Sequence, residues 1–594
     1  MNRALAPLLR HPVLALSAGI GLLYVAIALL WPSGVFWSPD SNLKYVQMLS
    51  LRWDDGLRFD MPYPGRALDP DLQAVPLGPT FYEIRQGNIH IVWPLLFAAM
   101  SLPFYLLFGH AGLFLLPAAS GAGTVYLTGR LTERLRPGAG VWAALVLGLT
   151  TPVLFYSVMF WEHTVAVSCA TLGAYLLLTA RDGSSSWRLA FAGAAIAFAA
   201  GGLRAEMYVF AAGFFLAVLL FYQGRARWAT LLPLAAGAVV TSLPLWTLNY
   251  ITNGSPLPLN AAKNFSTITL DYLSQNGMYA IVHLLVGDGA PLEVAFLFCM
   301  AAAVAIAVFQ WTRGPGRGSL LNLSLIVLSA AAWVIFAVSL PPFNYPTQKV
   351  FNFHGFLAIS PFLVFGMLTR VRALDDAADR TRRMLALATF LYAVLYLVSI
   401  SLVSAIGPNG GALEWGPRFF LGIYPLLTVL AVTSVAYLLR MPEMAAARRG
   451  LLTLAVVLAL AGTAFQTVGL LGVARDVALN RDLIAHVRAL PPEEPIVTDS
   501  WWMPVTVPTE FFSHRMLFLP SAEQFRDWVP KARDRGMRSF RMVSFTPGLQ
   551  NNLLRPPWPE GIRLESGNVQ RAVDGLYFVQ IRVQDAGPTP QQAR

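Results

Sequence analysis

The chain has 594 residues, 56% of them hydrophobic and only 13% charged, with a formal net charge of +11. Such a composition excludes an ordinary water-soluble enzyme and makes lipid the solvent for most of the chain, so length gives no count of soluble domains. The basic excess, which in a soluble protein suggests nucleic acid, sits mainly in short loops between apolar runs and is assigned to membrane topology, with no nucleic-acid partner.

Arg3 and Arg10 precede an apolar run within Met1–Trp31 that lacks a small-residue cleavage site, which predicts a retained first helix. Runs long enough to cross about 30 Å of hydrocarbon lie near 13–31, 111–129, 138–157, 162–180, 189–203, 207–222 and 229–248. Six more lie near 291–310, 319–340, 355–369, 384–406, 419–439 and 450–472. The expected fold class is an all-α polytopic membrane protein of about thirteen transmembrane helices with a small C-terminal soluble α/β domain. Residues 1–472 form the transmembrane domain, with a large first outer loop at 32–110, and 473–585 form the soluble domain. The polar, Pro/Gln-rich end, 586–594, reads as a disordered tail.

The piece at 91–108 decides the orientation, because it is short and carries Pro94 and Pro103. If it lies along the interface or re-enters, the loops with Arg130, Arg134 and Arg136, with Arg181 and Arg188, and with Arg225 and Arg227 join the N-terminus on one side. So do the loops holding Arg313, Arg317, Arg370, Arg372, Arg380, Arg382, Arg383, Arg440, Arg448 and Arg449. That side then carries nineteen basic against six acidic residues, as expected of a cytoplasmic face. If the piece spans, seventeen of the basic residues move outside. It is therefore expected to be an interfacial or re-entrant helix, with the N-terminus cytoplasmic and the soluble domain extracytoplasmic on a plasma (inner) membrane.

The outer loops, 32–90, 249–290, 341–354 and 407–418, are long and rich in polar and aromatic residues. All four lysines, Lys44, Lys263, Lys349 and Lys531, fall on this side, although the tolerance of lysine for any solvated loop explains that equally well. After the first span, Trp37-Ser-Pro-Asp-Ser-Asn-Leu-Lys44 places Asp40 and Lys44 one helical turn apart. Asp40 is either a catalytic acid or the cap of a helix start, favoured there by the helix dipole. The remaining loop charges, among them Asp54, Asp55, Asp60, Asp69, Asp71 and Glu83, read as solvated.

Phe155-Tyr-Ser-Val-Met-Phe-Trp161-Glu162-His163-Thr164 forms a tight outer turn. Glu162 and His163 suit a second acid, a proton relay or an acceptor-binding pair, with an interfacial hydrogen-bonded pair as the alternative. In Gly201-Gly-Leu-Arg204-Ala-Glu206, Arg204 either meets a phosphate or forms a structural pair with Glu206. Two further segments stand out, Asn344-Tyr-Pro-Thr-Gln-Lys349 and Trp415-Gly-Pro-Arg418. Arg418 lies at the entrance to an apolar helix, at lipid-headgroup depth, where arginine donates in parallel to phosphate oxygens or simply snorkels.

Soluble-enzyme signatures are missing from the sequence: there is no phosphate-binding Gly-rich loop, His-Glu-x-x-His, Cys-x-x-Cys or nucleophile elbow. The eight histidines lack ligand spacing, and Cys169 and Cys299 lie in apolar runs as small core residues. No metal site and no cofactor is predicted, a divalent ion being left open.

An acid in a long first outer loop, a second acidic turn before the fourth span and a soluble tail after about thirteen helices resemble the GT-C class of membrane glycosyltransferases. The layout is most similar to the bacterial aminoarabinose transferases and protein mannosyltransferases. Phe-Trp-Glu-His-Thr, Gly-Leu-Arg-Ala-Glu, Trp-Gly-Pro-Arg-Phe and Thr498-Asp-Ser-Trp-Trp502 also look like motifs of bacterial relatives. The resemblance implies a polyprenyl-phosphate sugar as donor, an envelope glycan, lipid or protein as acceptor, and surrounding membrane lipids as further partners. It implies that Asp40 is the catalytic base or acceptor-activating group, and it matches Glu162 to a position where the family commonly has aspartate, with His163 an addition. Lys44, Arg204, Lys349 and Arg418 are then the candidates for binding the donor phosphate, and Trp37, Trp161 and Trp415 for stacking on sugar rings, although interfacial aromatic belts are the commoner role of such residues.

Two other classes compete. A transporter or flippase for a lipid-linked or small polar substrate also uses many helices and buried ionisable residues, but the large loop after the first helix, the outer tail and the lack of inverted repeats count against it. A non-catalytic envelope assembly factor, docking through its tail, is the third. The Arg-, Ala- and Leu-rich composition suggests a GC-rich bacterial genome.

Overall fold

A computed structural model describes residues 11–51, 58–180, 186–222, 224–265, 355–367, 376–402, 415–544, 562–571 and 576–585. The chain divides into two compact units, Met1–Leu29 with Ala111–Gly472, and Leu30–His110 with Val473–Arg594.

The first unit is helical. Pro12–Ala28, Leu115–Leu135, His163–Thr179, Ser186–Leu203, Glu206–Phe221, Gly224–Asn253, Asp376–Leu402 and Ile423–Leu438 correspond to expected spans, and the helix Arg448–Arg488 begins in this unit. Among the described residues, four helical stretches are long and apolar enough to cross a membrane: Leu95–Leu135, Arg227–Asn253, Ala378–Ser399 and Met444–Arg488. Six shorter apolar helices accompany them. The expected spans at 291–310 and 319–340 lie outside the described residues.

Two expected spans are interrupted, each at a proline. The run at 138–157 divides into Gly140–Thr150 and Pro152–Ser157, with Thr151 extended between them. The Thr151 hydroxyl accepts the Val153 N–H at 3.3 Å and starts the second helix. Pro152 suits a first helical position, and its ring drives the residue before it out of the α region. At 355–369 the expected continuous span is instead a short α turn, Phe356–Ile359, followed after Ser360 by a 3-10 helix, Pro361–Met367. Pro361 acts on Ser360 in the same way.

Glycines permit the closest helix approaches. A Cβ at Gly173 would lie 2.6 Å from the Gly193 carbonyl oxygen, and one at Gly193 would lie 2.8 Å from the Gly173 carbonyl oxygen. The helices His163–Thr179 and Ser186–Leu203 therefore meet backbone to backbone, as small residues allow in membranes.

In the second unit, the outer loop contributes the helix Pro39–Ser50, the hairpin β1 (Tyr82–Arg85) and β2 (Asn88–Ile91), and the helix Leu95–Phe108. Gln86 and Gly87 both take positive φ, 49° and 74°, which matches a two-residue turn to the twist of its strands. The helix Leu95–Phe108 corresponds to the piece expected along the interface. Its 14 residues extend roughly 21 Å.

The tail builds a six-stranded sheet from β3 (Ile496–Thr498), β4 (Met516–Phe518), β5 (Ser539–Ser544), β6 (Ile562–Ser566), β7 (Gln570–Arg571) and β8 (Tyr577–Asp585). The order is β4-β3-β5-β8-β6, with β7 also on β8. β3 runs parallel to β4 and β5, and β8 antiparallel to its neighbours. Phe525, Trp528 and Val529 of the helix Ala522–Asp534 pack on Leu517, Phe540, Met542 and Ile581 of the sheet.

Leu68 and Ala74 of the outer loop belong to this same core, and the Phe518 N–H donates to the Ala74 carbonyl at 3.0 Å. A second core joins Leu43 and Val46 to Val505 and Phe511. The first outer loop, grouped with the transmembrane domain on sequence, thus folds as one body with the tail.

Candidate functional site

The predicted residues fall into two groups, one in each unit. In the second unit, Ser38 caps the helix Pro39–Ser50: its hydroxyl accepts the Asp40 N–H at 3.2 Å, and its carbonyl accepts that of Asn42 at 3.1 Å. The cap is therefore Ser38, and Asp40 lies in the first turn, where the helix dipole favours a negative charge. Asp40 is 8% exposed and Lys44 1%. The Lys44 ammonium sits 4.2 Å from the centre of the Trp93 ring. Gln47 reaches the same residue, donating from Nε2 to the Trp93 carbonyl at 2.9 Å. Asp40, Lys44 and Gln47, spaced by four and three residues, share one helix face. Sequence reasoning missed Gln47 and Trp93; the helical spacing from Asp40 was enough to find Gln47, whereas Trp93 comes from beyond the hairpin.

Trp37 is buried, and its indole N–H donates to the Asp476 carboxylate at 3.2 Å. Asn480, one turn later on the same helix, donates to the Phe36 carbonyl at 2.9 Å. These contacts hold the segment leading into Asp40 and give Trp37 an anchoring role.

In the first unit, Glu162, at 0% exposed, accepts from Arg204 Nη1 at 3.0 Å. Glu206 accepts from Arg204 Nε at 2.7 Å. The two motifs therefore form one triad of two carboxylates and one guanidinium, with Glu162 and Arg204 buried. Removing one partner of such a pair leaves an uncompensated buried charge and costs about 3–5 kcal/mol. His163 begins the next helix and stacks on Tyr156, with ring centres 5.1 Å apart and planes at 19°.

Arg418, also buried, lies 5.0 Å from the Trp161 ring and 4.7 Å from that of Phe419. The Arg204 guanidinium approaches the same Phe419 ring, at 4.9 Å. Both cations thus bear on one aromatic ring. Trp415 is locked from two sides: its indole N–H donates to Gln466 at 3.0 Å, and its backbone exchanges hydrogen bonds with the Tyr156 hydroxyl at 3.1 Å. Trp161 and Trp415 are as buried as Trp37, so all three rings expected at a sugar are packed against protein. Lys349 lies outside the described residues.

Among the described residues, no group of three His, Cys, Asp or Glu side chains is arranged to hold a metal. An open cavity of about 400 Å³ in the second unit is lined by Leu68, Glu494, Arg515, Arg535 and Arg538 among others, and by none of the predicted residues.

No protein-family model matches the chain. No curated protein matches it either. The crystal structure of ArnT, an aminoarabinose transferase, from Cupriavidus metallidurans bound to undecaprenyl phosphate is similar over 97% of this chain and 99% of its own, with a TM-score of 0.52 at 14% identity. The oligosaccharyltransferase of Archaeoglobus fulgidus in the apo form is similar over 90% of this chain and 69% of its own, with a TM-score of 0.49 at 14% identity. Both neighbours are GT-C glycosyltransferases, and the likeness to ArnT gives this chain the GT-C fold.

Proposed function

We propose that this protein is an integral-membrane glycosyltransferase that moves a sugar from a polyprenyl-phosphate donor to a hydroxyl-bearing envelope acceptor on the extracytoplasmic side. The observation that carries this reading is Asp40, buried in the first turn of the outer-loop helix one turn from buried Lys44, in a chain whose fold matches ArnT over nearly the whole of both proteins.

In this reading the acceptor oxygen attacks the anomeric carbon, the bond from that carbon to the phosphate oxygen breaks, and Asp40 takes the acceptor proton. The electron pair of the broken bond leaves with polyprenyl phosphate. Cations held in place beforehand stabilise that charge without reorganising during the reaction. Lys44 suits this work, because it is buried one turn from Asp40 and seated against the Trp93 ring. Arg204 suits a positioning role better, since two carboxylates already engage it.

The test is Asp40→Asn. Membranes containing the variant are expected to hold folded protein at wild-type levels while sugar transfer from polyprenyl-phosphate donors falls by about 10²–10⁴-fold, the range of a lost general base. Transfer at the wild-type rate would remove Asp40 from the reaction.

A further inference from the structure

Arg136 is the C-terminal cap of the helix Leu115–Leu135, and Arg440 stands just beyond the end of Ile423–Leu438. These two helices pack together within the first unit. Arg136 is 9% exposed, and its Nε and Nη2 are buried without a hydrogen-bond partner among the described residues. A second positive charge, Arg440, bears on it. The neighbouring acid, Glu133, is engaged elsewhere: its two oxygens accept the Gly138 and Gly140 N–H groups at 2.8 and 2.9 Å.

Helix C-termini attract cations, which accounts for arginines at this place. It does not account for two buried N–H groups without an acceptor, or for like charges set together, since buried polar groups are normally paired. Nε and Nη2 form one edge of the guanidinium plane and point in parallel. That edge is the one arginine offers to two oxygens of a single phosphate, and an anion would also relieve the repulsion from Arg440.

We propose that Arg136 and Arg440 form a phosphate-binding site at the helix ends that the charge pattern assigns to the cytoplasm, separate from the residues of the proposed reaction. Its ligand is a phosphate group, carried by an anionic membrane lipid, by a polyprenyl phosphate or by free phosphate. Arg136 makes the paired contact, and Arg440 adds charge from the exposed side.

The test is equilibrium binding to the purified full-length protein in neutral detergent. The probes are inorganic phosphate, undecaprenyl phosphate and phosphatidylglycerol, with phosphatidylcholine as the zwitterionic control. At least one phosphate probe is expected to bind saturably, and Arg136→Gln to weaken that binding about tenfold or more. The probe so affected identifies the source. Arg136→Lys, which keeps the charge and loses the paired edge, is expected to restore only part of the binding, and Arg134→Gln, at an exposed arginine two residues away, to leave it unchanged. Equal binding by Arg136→Gln and wild type for every probe overturns the site, as does an equal loss in Arg134→Gln. Should Arg136→Gln fail to fold, the exposed Arg440→Gln carries the test: several-fold weaker binding supports the site, and unchanged binding overturns it.

Discussion

At the residue scale, the chemistry depends on which charges are already answered by neighbours. Glu162 and Arg204 are separated by 42 positions and read as members of different motifs, yet they share a hydrogen bond. Each motif was legible as a place where ionisable residues enter an apolar chain; their union was not, because helix packing brings them together and sequence distance carries no record of it. Asp40 was legible by its place after the first span, and the structure puts the helix cap two residues earlier, at Ser38. The three tryptophans show the limit of residue type as a guide. Trp suits a sugar platform, yet residue type does not foretell that Trp37 and Trp415 are buried with their indole N–H groups on Asp476 and Gln466. Asp499 offers a test in the tail. Burial raises its carboxyl above the ordinary aspartate value, and the Ser544 hydroxyl, donating at 2.7 Å, holds back part of that rise. The folded state therefore keeps this proton more readily than the unfolded state does. The group's contribution to stability is complete below the unfolded pKa of about 4 and is lost as pH rises through the folded value. Asp499→Asn is expected to raise the thermal unfolding midpoint of the full-length protein at neutral pH, with the difference closing towards pH of about 4. A difference that stays constant with pH would assign the effect to something other than the carboxylate's charge.

At the element scale, apolar length predicted most of the described helices, since a segment that must satisfy its own backbone in lipid has few alternatives. The interruptions at Thr151 and Ser360 were less visible, although Pro152 and Pro361 mark them: proline in a membrane helix is read as readily as a kink as a break. β3 and β8 are short runs rich in β-branched and aromatic residues, the composition that favours strands. Glycine contacts add a requirement that hydropathy does not register. Gly173→Val is expected to force apart the helices His163–Thr179 and Ser186–Leu203 and to destabilise the protein by about 1–3 kcal/mol or more. A lower unfolding midpoint in detergent, with less protein in the monodisperse peak, is the measurement. An unchanged midpoint would mean that this approach is not close in the folded protein.

At the scale of the whole molecule, the charge pattern predicts an orientation that chemical labelling can check. In a background with Cys169 and Cys299 replaced by serine, Pro137→Cys is expected to react with an impermeant thiol reagent only from the cytoplasmic side and Asp71→Cys only from outside, with near-complete protection from the opposite face. Both positions are exposed within their units. Labelling of the two from the same side would reverse the topology and separate Asp40 from an outer-face reaction. The partition into two units was the least legible feature, because the outer loop and the tail are far apart in the chain and neither carries a signal pointing to the other.

That separation fixes the order in which the protein is made. Ala74 must wait for Phe518, about 440 residues later, and at roughly 5–20 residues per second the ribosome needs about 20–90 s to supply it. During that interval the loop bearing Asp40 has been synthesised without the strands that complete its core. A chain stopped before β4 therefore carries its helices and its proposed catalytic acid together with a loop whose apolar side chains lack their native partners, making it a natural client for chaperones and proteases.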